Sequence, residues 1–216
     1  MFNKRHIVRT IAATVSILAL SFTAACGSGQ STASNSTDSD DITQQTYKPG
    51  KLTIATGQPA YEPWVMNDKP ESGEGYEAAV AYAVADKLGF KKSDVVWTRT
   101  AFDTAIAPGA KDWDFNIQQF GITDERKKAV DFSSSYYNDS QSVVVKKDSK
   151  FANATKVSDL KDATVGVMVG TLAYDYAKAN IKDDIQTFND DAALAQALDA
   201  GQIDALVTST VECVYM

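Results

Sequence analysis

Hydrophobic positions follow two periods along this chain, and the switches between them mark out its elements. Residues 52–56 (LTIAT), 95–98 (VVWT) and 115–119 (FNIQQ) are short β-branched and aromatic runs, which predict strands. Between the first two, Tyr76, Val80, Val84 and Leu88 recur four apart with Ala79 and Ala83 beside them. That spacing predicts one apolar stripe on a helix over 76–88, stopped by Gly89. Residues 102–107 read as a second helix, ended by Pro108 and Gly109. The order strand, helix, strand, helix, strand is that of a parallel sheet covered by helices. After a long β-type run at 141–147 (QSVVVKK) the pattern restarts. Strands at 164–169, 185–188 and 203–208 alternate with helices at 172–180 and 192–200, the latter capped by Asp190 or Asp191 and closed by Gly201. Two successive α/β units predict two lobes with a cleft between them.

The ends of the chain read differently. Lys4, Arg5 and Arg9 precede an apolar run from Ile11 to Ala25 with no acidic residue, the charge and length of an export signal. Ala24, Ala25 and Cys26 finish it, which places Cys26 where a bacterial lipoprotein carries its lipid. Thr23 stands where a leucine is usual, and ordinary cleavage beside a stray cysteine is the alternative. The stretch that follows is rich in Ser, Thr, Gln, Asn and Asp, so it predicts a flexible tether, with order from near Lys51. The expected division is a leader at 1–25, a lipidated cysteine and tether at 26–46, a first lobe at 47–142 and a second lobe at 143–216.

Composition narrows the chemistry. The 216 residues carry a net charge of −7, and removal of 1–25 with its three cations takes this to −10. Such a balance disfavours nucleic acid and charge-driven binding to an anionic membrane, leaving a lipid anchor as the expected membrane contact. His6 is the single histidine and leaves with the leader, which excludes histidine triads, histidine proton shuttles and almost all zinc sites. Cys213 would remain as a lone thiol, so no disulfide framework arises within one mature chain. No cofactor is expected.

In open parallel sheets ligands collect beyond the carboxyl ends of the strands, which here are the loops at 57–64, 118–126 and 169–172. In the third, Gly170 and Thr171 stand between a strand and a helix, where free amides and a hydroxyl suit a carboxylate. GVMVGT lacks the lysine and spacing of a phosphate loop and is not a dinucleotide fingerprint. Thr123 is placed to cap a short helix whose first turn carries Arg126. On local sequence alone the simpler reading of Arg126 is a surface residue paired to a neighbouring carboxylate. Together with the Gly170 and Thr171 turn, it offers a planar charged fork and amide donors from opposite lobes. Tyr61, Trp64, Phe102 and Phe120 are candidates for flat walls, with ordinary packing the alternative for each.

The words IT, DER, VDFS and YY within residues 121–137 (GITDERKKAVDFSSSYY) resemble the signature of the extracellular solute-binding proteins of family 3. YEPW, ADKLGF and the FD at Phe102 and Asp103 are similar to that family's first lobe. VSDLKDATVGVMVGT, DYAK and IDALVT are similar to its second, and the likeness covers roughly 52–208. The resemblance implies a two-lobed, periplasmic-binding-protein-like (type II) α/β fold. It also implies a substrate-binding lipoprotein that delivers a polar amino acid to an ABC transporter permease, acting as a monomer on the outer face of a bacterial cell membrane. By the same match Arg126 and Thr171 would hold the ligand's α-carboxylate, and Trp64, Phe120 and Phe102 would line its side chain. Gln119 falls where the family often has a small residue, and Gly121 where it often has Ser or Thr.

The departures lie at the end. Ser209 stands where the family places an aspartate for the α-ammonium, and STVECVYM does not continue the pattern, so the second lobe and the return crossing read as incomplete. Glu212 is a candidate replacement carboxylate. Glu62 near the cleft favours a cationic ligand side chain, whereas Gln119 suits an amide. Two other functions stay in view. A dehydratase on the same scaffold would need an acid or base such as Glu62 or Asp103. A ligand-sensing domain would need a membrane span and a signalling region downstream.

Overall fold

The computed structural model describes residues 41–215. The leader, Cys26 and most of the expected tether lie outside the described residues. Order sets in ahead of Lys51: Asp41 caps a short 3-10 turn at Ile42–Gln44, and Thr46 is already buried. The Tyr47 amide donates to the Asp114 carboxylate, whose other oxygen accepts from Thr53 N at 2.7 Å, so one acid fastens this entry segment to the first strand.

The first sheet has β1 (Leu52–Gly57) between β2 (Val95–Thr100) and β3 (Phe115–Asn116), all parallel. All six residues of β1 are buried, as befits a central parallel strand covered on both faces. Leu52 and Ile54 pack with Ala81, Ala85 and Phe115 on one face, while Ala55 packs with Ala105 and Trp113 on the other. Helix α1 (Tyr76–Lys87) supplies Ala81 and Ala85, and helix α2 (Phe102–Ile106) supplies Ala105.

Two expectations need correction here. The buried face of α1 centres on Glu77, Ala78, Ala81 and Ala85, with Val80, Val84 and Leu88 half-buried at its flank and Tyr76, Ala79 and Ala83 exposed. The small side chains let α1 lie close on β1, and the larger ones fill the margin. The strand expected at 115–119 pairs only through Asn116. Ile117 N still donates to the Ala55 carbonyl at 2.9 Å, after which the chain turns out of the sheet with Gln119 at φ +51°.

The second sheet runs β4 (Gln141–Val145), β7 (Ala205–Ser209), β5 (Val165–Met168), β6 (Ile185–Phe188). β4 is antiparallel to β7 with Val143 opposite Val207, and the other pairings are parallel. Helix α3 (Leu172–Asn180) covers one face through Ala173 and Ala177, and α4 (Asp191–Asp199) the other through Leu194 and Leu198. Asp190 caps α4 by accepting from Ala193 N at 2.8 Å, as its sequence position predicts. A last helix, α5 (Thr210–Tyr215), was not foreseen, although its cap was legible: Ser209 and Glu212 are spaced as a capping box, and Glu212 N donates to Ser209 Oγ at 3.2 Å. Among the described residues no helix is long and apolar enough to cross a membrane.

Gly166 in β5 shows how closely the second lobe is packed. A Cβ there would come within 2.6 Å of Ile203 Cδ1, 2.9 Å of Leu194 Cδ1 and 3.0 Å of Phe188 Cε2. Gly166→Ala is therefore expected to cost about 1–3 kcal/mol of stability, read as a lower denaturant midpoint at unchanged slope. An unchanged midpoint would mean that this core has room to give.

Candidate functional site

The loops at the carboxyl ends of β1, β3 and β5 meet the segment leading to β4 and the start of α4 around a cleft of about 530 Å³. Tyr61, Trp64, Phe102 and Gln119 line it from the first lobe, as do Phe120, Gly121 and Arg126, and Thr171 lines it from the second. Gly170 is not on the wall, but its carbonyl takes part in the site.

Arg126 reaches that carbonyl from a single 3-10 turn, Arg126–Lys128, where a short helix was expected. Thr123 caps it as foreseen, its Oγ1 accepting from Arg126 N at 3.1 Å. The guanidinium donates through Nη1 to the Gly121 carbonyl and through Nη2 to the Gly170 carbonyl, both at 2.8 Å, and so joins the two lobes. Its carbon lies 5.7 and 5.5 Å from the ring centres of Phe102 and Phe120, which are stacked 4.1 Å apart. Burial pushes its pKa down, with Asp175 acting the other way. Guanidinium has five N–H donors, and the two carbonyls engage two of them. The remaining face suits a planar anion.

The second lobe brings the start of α3 to the same wall through Thr171, Leu172 and Ala173. Thr171 holds the N-cap position, and among the described residues no side chain caps the helix. Its hydroxyl was expected to face outward; instead it donates to the Met168 carbonyl at 2.7 Å, which leaves its lone pairs and the first-turn amides as the polar offer. Gly121 sits where a Cβ would lie 2.4 Å from Leu172 Cδ1. The lobes meet here, and Leu172 takes the room a hydroxyl-bearing side chain would need.

The other charges on the wall are acidic. Asp139, Asp190, Asp191 and Glu212 line the cleft, while Arg126 is the one cation among the described lining residues. Glu212 accepts from Thr208 Oγ1 at 2.7 Å, and Asp191 lies 3.4 Å from the same hydroxyl. Burial, then mutual repulsion, pushes the Asp191 carboxyl up, and burial does the same to Glu212. Tyr61 crosses between the lobes: its hydroxyl accepts from Ala192 N at 3.1 Å and lies 3.4 Å from the Asp190 carboxylate, and burial raises its pKa to about 12. Glu62 accepts from Asn67 N and Asp103 from Thr104 N, and neither lines this cleft. Cys213 is a free thiol whose pKa burial raises to about 11.

The sequence reading missed Asp190 and Asp191 as cleft residues, having used them only as a helix cap. It also missed Glu77, which lies behind the wall. The Gln119 amide, expected to offer itself to a ligand, donates to Glu77 instead, and Tyr136 OH donates to the same carboxylate.

Two α/β lobes thus meet over one cleft whose wall carries Arg126 and the carboxylates of Asp139, Asp190, Asp191 and Glu212. Residues 52–197 match the model of the bacterial extracellular solute-binding proteins, family 3. The L-cystine-binding protein TcyJ of Escherichia coli (strain K12) is 33% identical over 149 residues, covering 68% of this chain and 54% of that one. The glutamine-binding protein of Geobacillus stearothermophilus is 32% identical over 225 residues, covering 95% and 82%. Among solved structures, an ancestral arginine-binding protein bound to glutamine superimposes with a TM-score of 0.65 at 33% identity, over 78% of this chain and 73% of that one. The chain belongs to the bacterial extracellular solute-binding proteins, family 3, and has that family's two-lobed fold. It spans about half the length of the cystine-binding protein.

Burial lifts the Glu77 carboxyl to about 7, above its ordinary 4.5, against the lowering effect of the bonds from Tyr136 and Gln119. A carboxyl raised in the folded state binds more protons there than in the unfolded chain, so its contribution to stability falls as pH rises through that window. The melting midpoint of the wild type relative to Glu77→Gln is expected to drop by a few degrees between about pH 5 and about pH 8. A difference that stays constant would show that Glu77 is not raised.

Proposed function

We propose that the chain is the substrate-binding component of an ABC importer and holds a polar amino acid in this cleft. The observation that carries the reading is Arg126, the one cation among the described lining residues, in a cleft that Asp191 and Glu212 also line. The ligand's α-carboxylate would lie on Arg126 and the first amides of α3, with Phe102, Phe120, Trp64 and Tyr61 walling its side chain. Ser209 lines the cleft where the family resemblance calls for an acid, and Glu212, one turn further on, would receive the ammonium together with Asp191. The excess of carboxylates favours a ligand with an additional positive charge, and engagement of Gln119 by Glu77 removes the feature that favoured an amide. Contacts from both lobes would stabilise the closed arrangement, the form a permease would recognise.

In the same reading residues 1–25 are a leader, Cys26 carries a lipid and residues up to 46 tether the lobes at 47–142 and 143–216. The protein would then act as a monomer on the outer face of the cell membrane and perform no catalysis. The cystine-, glutamine- and arginine-binding relatives support this class of ligand.

Calorimetric titration of the purified protein with arginine, lysine, glutamine and cystine tests the reading. Binding of at least one, tightest for a cationic one, is the expected result. Arg126→Ala should weaken it by about 2–5 kcal/mol, since a buried carboxylate loses its partner. Equal affinity in wild type and Arg126→Ala would remove Arg126 from the role.

A second expected outcome concerns the acidic residues of the cleft. Glu212→Gln should weaken a cationic ligand by more than a neutral one, because only the charge is removed. Identical losses for arginine and glutamine would place Glu212 outside the ligand's reach.

A further inference from the structure

Glu77, in the first turn of α1, is fully buried at 0% exposed. Its carboxylate accepts three hydrogen bonds: from Gln119 N at 2.8 Å, from the Gln119 side-chain amide and from the Tyr136 hydroxyl. Those donors belong to two separate segments of the cleft wall, and Gln119 and Tyr136 both line it while Glu77 does not. Gln119 stands at φ +51°, in the left-handed region that residues with a side chain disfavour. Tyr136 belongs to the segment that crosses from the first lobe to β4. Its carbonyl accepts from Tyr76 OH at 2.7 Å, and Tyr137 next to it packs edge-on against Trp64 with ring centres 5.2 Å apart.

We infer that Glu77 is a positioning residue for the cleft: it holds the left-handed turn at Gln119 and ties that turn to Tyr136 of the crossing segment. The turn sits two residues before Gly121, whose carbonyl receives Arg126 Nη1, so the placement of the guanidinium depends on it. The two oxygens of the carboxyl group together have room for all three donors. The geometric role stands whether or not the cleft binds an amino acid; its consequence for affinity rests on the proposed function.

The variants separate this role from simple packing. Glu77→Ala leaves the Gln119 amide and the Tyr136 hydroxyl without their acceptor. Glu77→Gln keeps one oxygen for Gln119 N and Tyr136, both of which bond the same oxygen, Oε1, and its amide can pair with a Gln119 side chain turned end for end. Gln119→Gly in the alanine background removes the cost of the left-handed backbone.

Amide hydrogen exchange on the full purified chain without ligand is the test, followed by titration with L-arginine and L-glutamine. The amides of residues 119–121 should exchange about tenfold faster in Glu77→Ala while those of β1 and β5 stay at the wild-type rate. Glu77→Gln should restore them, and Glu77→Ala/Gln119→Gly should restore them in part, each with matching recovery of whatever affinity the wild type shows. Unchanged exchange at 119–121, acceleration shared equally by β1, or no rescue by glutamine would overturn the inference. Should Glu77→Ala not fold, Glu77→Asp, shorter by one methylene, supplies the same contrast. If neither amino acid binds the wild type, the binding reading fails while the exchange data still decide the role of Glu77.

Discussion

A guanidinium held between two lobes, against stacked phenylalanines and two backbone carbonyls, sets the terms for this structure. Arg126 is partly buried and, among the described residues, no carboxylate lies within salt-bridge distance of it. A cation placed this way keeps its charge at a cost in solvation that backbone carbonyls offset only in part. In the proposed function its partner would be the carboxylate of the ligand. Everything around the arginine serves that arrangement: Thr123 fixes its turn, Gly121 lets Leu172 approach, and Glu77 secures the loop from behind. The same guanidinium that would hold a ligand already bonds the Gly170 carbonyl, so ligand capture and lobe contact pass through one group.

Much of this was legible in the sequence, for reasons that differ by element. The strands at 52–57, 165–168 and 205–209 are continuous apolar or β-branched runs, and burial on both faces demands such runs. The Asp190 cap and the Gly201 stop are local chemistry, readable without any tertiary knowledge. Arg126 was found because its turn is encoded locally by Thr123, and the family's phrases lie around it.

The rest was hidden because its logic is not local. The face of α1 was misplaced since a spacing rule weighs large apolar residues, whereas contact with β1 selected the small ones. Glu77 was invisible for a related reason. A glutamate in a first helical turn is ordinarily a solvated residue favoured by the helix dipole, and nothing nearby announces that its three donors lie at 119 and 136. α5 differs: its capping-box spacing is local, but six residues are too few to show a helical period.

The acidic residues of the cleft bear on its selectivity. Asp191 and Glu212 share one threonine hydroxyl, and a hydroxyl has a single proton to give, which the shorter contact assigns to Glu212. Asp191 is only 8% exposed, so two carboxylates face each other in a place where neither is fully hydrated. Such a pair relieves its repulsion by holding a proton or by taking up a cation. An ammonium group would displace that proton and leave both acids charged. The repulsion therefore raises the selectivity for a cation over a neutral group of the same shape, because only the cation removes it. In the proposed function Arg126 meets the complementary demand, and a single zwitterion would satisfy both groups.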